Sequence, residues 1–334
     1  MSEQEITKEG GRERDTRMEK LSKLREIGIN PYPYRFDRTH SISDARDKAE
    51  TLLENGTEIA LAGRVMSLRG HGHTSFGNIK DGTSSIQFYI KDADVDEKTW
   101  SLFKLIDLGD IVGIHGALFM TKTGELTIKA RSLELLGKSI LPLPEKYHGL
   151  QDKELRYRRR YLDLIVNDDV MKVFRTRTMI IDTVRDYLRE HGFLEVETPI
   201  LQPLYGGAMA RPFVTHHNAL DMTLYLRIAD ELYLKRLVVG GMERVFEFSK
   251  DFRNEGMDRS HNPEFTMLEC YAAYWDYNDM MELTEDLYVY VLKKLNGSTK
   301  INFKGKEIDF KKPWKRMTML EAVKKFAKID AKNM

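Results

Sequence analysis

The stretch Arg244-Val-Phe-Glu-Phe-Ser-Lys-Asp-Phe-Arg253-Asn-Glu-Gly256, followed by His261-Asn-Pro-Glu-Phe265-Thr-Met-Leu-Glu269-Cys-Tyr271, decides the fold. Side chains alternate faces along a strand. In the first segment Glu247, Arg253 and Glu255 share one face, and Phe246, Phe248 and Phe252 share the other. In the second, Phe265, Met267, Glu269 and Tyr271 stand opposite Thr266, Leu268 and Cys270. Strands over 244–253 and 265–274, joined by a loop carrying Arg259, His261 and Asn262, predict an antiparallel pair with its apolar side on a core. Its polar side presents a rigid guanidinium fork suited to phosphate or carboxylate. It also presents an aromatic plane for a base, and a carboxylate and a phenol suited to an ammonium ion. A sheet face laced with ordinary ion pairs reads the same way, so alternation alone leaves both open.

Outward from this pair, Val173, Phe174, Ile180, Ile181, Val184, Tyr187 and Leu188 recur at helical spacing and predict a long amphipathic helix ending at His191-Gly192. A strand over 193–197 is ended by Pro199, a helix over 229–239 is closed by Gly240-Gly241, and the remainder reads as a helix-rich tail. Upstream, strands are predicted at 59–65, 76–80, 85–90, 111–119 and 126–135, with turn signals at Asp81-Gly82, Gly109-Asp110 and Thr123-Gly124. A helical stretch over 97–105 precedes the fourth strand. This is the pattern of an OB-fold barrel, shared with other small barrels. Short helices are expected at 14–27 and 42–53, after a polar, mobile start. Leu141-Pro-Leu-Pro144 is a stiff linker. Arg156, Arg158, Arg159 and Arg160 after it form either a solvated helix or a phosphate-contacting patch. The expected class is α+β, with a helical segment 1–57, a barrel 58–140, a linker 141–165 and an antiparallel-sheet domain 166–334.

The 334 residues fit two domains at about 150 residues each. Lys plus Arg number 53 and Asp plus Glu 52, so the net charge of +1 excludes a uniformly basic nucleic-acid coat but not a local basic face. The single cysteine, Cys270, excludes an intrachain disulfide and fits a reducing cytosol. Residues 1–14 show no leader and no apolar run is membrane-length, so a soluble cytoplasmic protein is expected. Gly70-x-Gly72 lacks the third glycine of a dinucleotide loop, Ser75 standing in its place, and no phosphate-cradling G-x-x-x-x-G-K-[ST] occurs. Lys20-Leu-Ser-Lys23 has no nucleotide-binding fold before it, and His71, His73, His216 and His217 lack partners at metal spacing.

Phe252-Arg-Asn-Glu-Gly256, His261-Asn-Pro-Glu-Phe-Thr266 and Glu269-x-Tyr271 resemble motif 2 of class II aminoacyl-tRNA synthetases in its lysyl form. The helix and strand ending in Glu197-Thr-Pro199 resemble motif 1. Gly206-Gly-Ala-x-Ala-Arg-Pro-Phe213, His216-His-Asn-Ala-Leu220 and Leu226-Arg-Ile-Ala-x-Glu-Leu-Tyr-Leu-Lys-Arg236 are similar to the lysyl type as well. The resemblance runs from about residue 15 and includes the barrel. It implies an OB-fold anticodon-binding domain, a class II catalytic domain, and ATP-dependent formation of lysyl-adenylate followed by transfer to tRNA(Lys). It further implies that Arg253 meets the ATP α-phosphate and the lysine carboxylate. Glu255 and Asn262 would hold the nucleotide, His261 would lie near its phosphates, and Phe265 would stack on adenine. Gly207 and Glu231 would hold the lysine α-amino group, while Glu269 and Tyr271 would read its ε-ammonium. Arg69, Phe76, Gln87 and Glu125 would recognise the anticodon, and Pro199 would belong to a homodimer interface.

The sequence departs from the family after Gly256. Only Gly297 and Gly305 follow, and neither sits in a glycine-rich third motif. The acidic residues that hold Mg²⁺ in the family have no counterpart here, so no metal ligand is named. The expectation is an N-terminal portion of a synthetase, inactive alone and left with an open sheet edge. The alternatives are a non-catalytic tRNA-binding paralogue and a synthetase of the aspartyl or asparaginyl type.

Overall fold

The computed structural model describes residues 3–144 and 150–330, without the side chains of 3–10 and His71. It forms two units, Met1–Asn167 and Asp168–Met334. Parts of the predicted linker (145–149) and of the tail (331–334) lie outside the described residues.

In the first unit α1 (Glu3–Glu26) starts well before the expected residue 14. Its Glu, Lys and Arg residues lose little rotamer freedom in a helix, which corrects the reading of a mobile start from residue 3 onward. The expected helix over 42–53 is two, α2 (Ile42–Asp47) and α3 (Ala49–Glu54), broken at Lys48. Strands β1 (Glu58–His71), β2 (Thr74–Lys80), β3 (Ser85–Lys91), β4 (Ile111–Met120) and β5 (Leu126–Gly137), with α4 (Glu97–Phe103) before β4, close into a barrel ordered β1-β2-β3-β5-β4. Alternation supplies its core: Ile86, Phe88 and Ile90 on β3 are buried with Ile79, Ile114 and Ile128. Gly77 is required there, because a Cβ would stand 2.4 Å from the Phe88 ring.

Arg17 and Lys20 tie α1 to this unit. The Arg17 Nη1 donates to the carbonyls of Leu108 and Ser139 at 3.0 and 3.1 Å. Lys20 bonds Asp107, so the Lys20–Lys23 segment is a structural anchor. The fully buried Lys138 ammonium donates to Asp107 at 2.6 Å and Asp110 at 2.7 Å. Of the arginine run on α5 (Lys153–Arg158) and α6 (Arg160–Val166), Arg156 and Arg160 are spent on the buried Asp163, and Arg158 on Glu154.

The second unit begins with α7 (Asp168–Glu190) and β6 (Leu194–Glu195), far shorter than the strand expected over 193–197. The strands β7 (Leu201–Gln202), β8 (Val214–His217) and β9 (Met222–Leu226) form a small sheet ordered β7-β9-β8. Then come α8 (Glu231–Val239), β10 (Arg244–Phe252), β11 (Glu264–Ala272) and α9 (Tyr277–Asn296). β10 runs antiparallel to β11 and parallel to β6. The reverse face is apolar as expected: Phe246 is fully buried with Val184, Tyr187, Leu188, Phe193 and Leu283, and Phe248, Leu268 and Cys270 pack against them. Burial, then the Glu269 charge, raises the Cys270 thiol to about 11, so it remains protonated.

The tail is not helix-rich throughout. After α9, β12 (Lys300–Phe303) and β13 (Lys306–Asp309) form a hairpin, and among the described residues a short α10 (Met319–Ala322) running into a π-helical turn (Val323–Ala327) follows. Lys304 and Gly305, with φ of 52° and 80°, make its two-residue turn. Positive φ at both central positions matches the right-handed twist of the flanking strands.

Candidate active site

The register of β10 on β11 sets Glu247 opposite Glu269 and Asp251 opposite Phe265. Arg253, just past β10, carries its guanidinium carbon 5.0 Å over the Phe265 ring. Its backbone N–H donates to Pro263 O at 2.8 Å, and Nε and Nη2 reach Ile228 O at 3.4 Å. The fork and the aromatic plane predicted on one face are therefore neighbours.

Further along β11 the Tyr271 hydroxyl donates to Glu269 Oε2 at 2.8 Å. Burial, with the Glu269 bond and charge, raises the Tyr271 pKa, so the phenol stays a donor. Glu269 Oε1 accepts the Asp230 backbone N–H at 3.4 Å. Glu231 opens α8 and holds Lys235 at 2.6 Å, whose ammonium lies 5.9 Å over the Tyr271 ring. Gly207 has φ +86°, and a Cβ there would meet the Glu231 Cβ at 2.8 Å. Only glycine allows this close approach without strain. Gly207 and Glu231 are in contact, and Glu269 and Tyr271 stand beside the start of α8. Glu255, His261 and Asn262 lie exposed in the loop after Arg253. There His261 Nδ1 lies 2.8 Å from Asp258.

Beneath these residues is a buried charge network that sequence reasoning missed. Arg227, just after β9, meets Glu247 at 2.7 Å, Asp230 at 3.2 Å and Asp251 at 3.4 Å. Thr198 Oγ1 donates to Glu247 at 2.7 Å. Asp230 and Asp251 are fully buried, and both oxygens of Asp230 and Oδ2 of Asp251 have no hydrogen-bond partner. Burial raises the Asp230 pKa to about 7, with the Asp251 and Glu247 charges adding to it, and burial raises Asp251 as well. Asp251 was legible by parity, since it falls between Glu247 and Arg253 on the same face. Asp230 was disguised, because an Asp before a helix usually caps it, whereas this side chain makes no cap bond.

Asp230, Asp251 and Glu269, with donor atoms within 4.8 Å of one another, are the group among the described residues with the donor set for a metal. They do not fit the Mg²⁺ that accompanies ATP. The Arg227 guanidinium already stands against two of them, and both aspartates are sealed from solvent, where a triphosphate would bring its ion.

On the barrel, Arg69 is paired with Phe76, Phe76 with Tyr89, and Asn78 with Gln87, which puts Arg69, Phe76 and Gln87 on one face. Phe76 is 37% exposed and its ring centroid lies 4.9 Å from that of Tyr89. Gln87 Oε1 accepts from Thr127 at 2.8 Å. Glu125 is exposed two residues before Thr127, 3.8 Å from Arg46. Pro199 is exposed, and its carbonyl accepts from Gln202 at 3.0 Å. No helix among the described residues is long and apolar enough to cross a membrane.

Comparison with known proteins adds an independent line. The family tRNA synthetases class II (D, K and N) matches residues 152–334, and the OB-fold nucleic acid binding domain matches residues 59–136. A lysine–tRNA ligase of Clostridium novyi is 54% identical over 315 residues, covering 94% of this chain and 61% of its own length. That of Thermoanaerobacter sp. is 55% identical over 94% of this chain and 63% of its own length. That of Pelotomaculum thermopropionicum is 52% identical over 98% and 65%. The chain thus spans 61–65% of the length of these relatives.

Proposed function

This chain belongs to the class II tRNA synthetases of the D, K and N type, and from that membership we propose that it selects lysine, ATP and tRNA(Lys) for a lysine–tRNA ligase. In the reaction a lysine carboxylate oxygen attacks the ATP α-phosphorus, and pyrophosphate leaves. A terminal ribose hydroxyl of the tRNA then attacks the lysyl carbonyl, and AMP leaves. Such displacements need positioning and charge stabilisation rather than a protein nucleophile. Arg253 neutralises the α-phosphate and orients the lysine carboxylate. Phe265 stacks on adenine, Glu255 and Asn262 hold the nucleotide, and His261 faces its phosphates. Gly207 leaves room for the α-amino group beside Glu231. Magnesium would accompany the ATP and would supply charge neutralisation at its phosphates; none of these residues is assigned to hold it.

The observation that carries this reading is Glu269, pinned by the Tyr271 hydroxyl and the Asp230 N–H, on the same face of β11 as Phe265, over which Arg253 lies. A fixed carboxylate with a phenol beside it suits an ammonium ion and repels the aspartate side chain. Arg69, Phe76, Gln87 and Glu125 on the barrel read the anticodon. Exposed Val173, Met179 and Ile180 on α7, with Pro199, favour a homodimer interface, and the cytoplasm is the compartment where these substrates meet.

Calorimetric titration of the chain with lysine, norleucine, aspartate and asparagine tests the proposal. Lysine alone should bind, and preference for aspartate or asparagine would overturn it. Lysine-dependent ATP–pyrophosphate exchange then shows whether residues 1–334 suffice for the adenylate step.

A further inference from the structure

Arg227 is the one guanidinium that the described residues place within ion-pair distance of Glu247, Asp230 and Asp251. Its shortest contact, with Glu247, is reinforced by Thr198. Asp230 and Asp251 therefore share what remains of one positive charge, with a third carboxylate, Glu269, whose oxygen lies within 4.8 Å of theirs. The groups facing them are Arg227 from the end of β9, Glu231 at the start of α8, Glu247 and Ser249 from β10, and Glu269 and Tyr271 from β11. The other cation beside these groups is Lys235, which is held by Glu231 and lies over the Tyr271 ring; among the described residues the ion-pair contacts of the two aspartates are with Arg227. Three buried oxygens lack a hydrogen bond of good geometry, Asp230 Oδ1 having only the 3.2 Å contact to Arg227, and burying an undercompensated carboxylate is costly enough that it takes up a proton instead.

We propose that Asp230 and Asp251 hold one proton between them, position Glu269 through the Asp230 backbone, and yield that proton when an ammonium group binds against Glu269. The last step rests on the reading of Glu269 given above. The raised Asp230 pKa agrees with the shared proton. A bound ammonium close by favours the ionised pair, so ligand binding and proton release are linked.

Two measurements on the 334-residue chain decide this. The first is the urea midpoint between about pH 5.5 and 8.5, where a carboxyl protonated in the folded state loses its stabilising contribution as pH rises. The midpoint of the wild type should fall across this range. The fall should flatten in Asp251→Asn, which has the shape and neutrality of the acid, and in Asp230→Asn. An equal fall in wild type and both variants overturns the shared proton. So does a midpoint of metal-free wild type that rises on adding Mg²⁺ while the variants do not respond, because a cation would then fill the site.

The second is lysine calorimetry in two buffers of different ionisation enthalpy. Wild type should release about half a proton per lysine near pH 7, and Asp251→Asn none. Equal release from both overturns the linkage. Absence of lysine binding overturns the lysine reading, and the urea comparison still judges the pair.

Discussion

The Tyr271 hydroxyl donates to Glu269 Oε2 at 2.8 Å, so one residue of β11 orients the charge carried by another two positions earlier. Hydrogen bonds to charged groups contribute about 1.5–3 kcal/mol. Tyr271→Phe should therefore weaken lysine binding by at least about tenfold. Calorimetry checks this, and unchanged affinity would separate Tyr271 from the lysine site.

Glu269→Gln keeps the volume and removes the charge. The preference for lysine over norleucine should shrink by about 100-fold or more, because rejection of the uncharged analogue depends on leaving a carboxylate unpaired. Competition binding with both ligands reads the ratio directly. A ratio equal to that of the wild type would assign the selectivity elsewhere.

Gly207→Ala forces a side chain into φ +86° and against the Glu231 Cβ. Such backbone strain costs about 1–3 kcal/mol. The variant should lose lysine affinity through displacement of Glu231, while the far-ultraviolet spectrum stays unchanged. Wild-type affinity would show that the loop at 206–207 moves freely away from α8.

Phe76→Ala removes an exposed ring paired with Tyr89. Base stacking contributes about 1–3 kcal/mol per base. Fluorescence anisotropy with a tRNA(Lys) anticodon stem-loop should show roughly 5- to 150-fold weaker binding. The thermal midpoint of the barrel should hold, and its collapse instead would make Phe76 a core residue.

Asp107 gives a pH dependence of defined sign. Burial works against its charge, but hydrogen bonds from Lys138 and Lys20 outweigh this and hold its pKa below 3.8. Its contribution is therefore present above the unfolded-state value and lost as pH falls through the folded-state value. Asp107→Asn should cost about 1.5–3 kcal/mol at pH 7, where it weakens charge-assisted hydrogen bonds from Lys138 and Lys20 while Asp110 still pairs the buried Lys138. The cost should be far less near pH 3, and urea unfolding at both pH values measures the difference.

What could be read from the sequence was whatever local alternation or punctuation encodes. Phe246 and Phe248 against Glu247 and Arg253 gave the two faces of β10, and Asp81-Gly82 and Thr123-Gly124 separated barrel strands. Arg227 and Asp230 were missed because their meaning is non-local: they meet Glu247 and Asp251 only once β9, α8 and β10 are assembled. The β12–β13 hairpin was missed because Lys304-Gly305 is a weaker turn signal than Asn-Gly, although it uses the same positive φ.

The two units carry separate cores of unequal size, one filling the closed barrel and the other a thinner layer behind β10 and β11. Heating should therefore melt the chain in two steps, the second unit first, and a single midpoint would average two events. The tryptophans are distributed to resolve this: Trp100 packs on the barrel core, while Trp275 and Trp314 belong to the other unit. A Trp100→Phe chain becomes a fluorescent reporter of the second unit alone, and its difference from wild type reports the barrel unit.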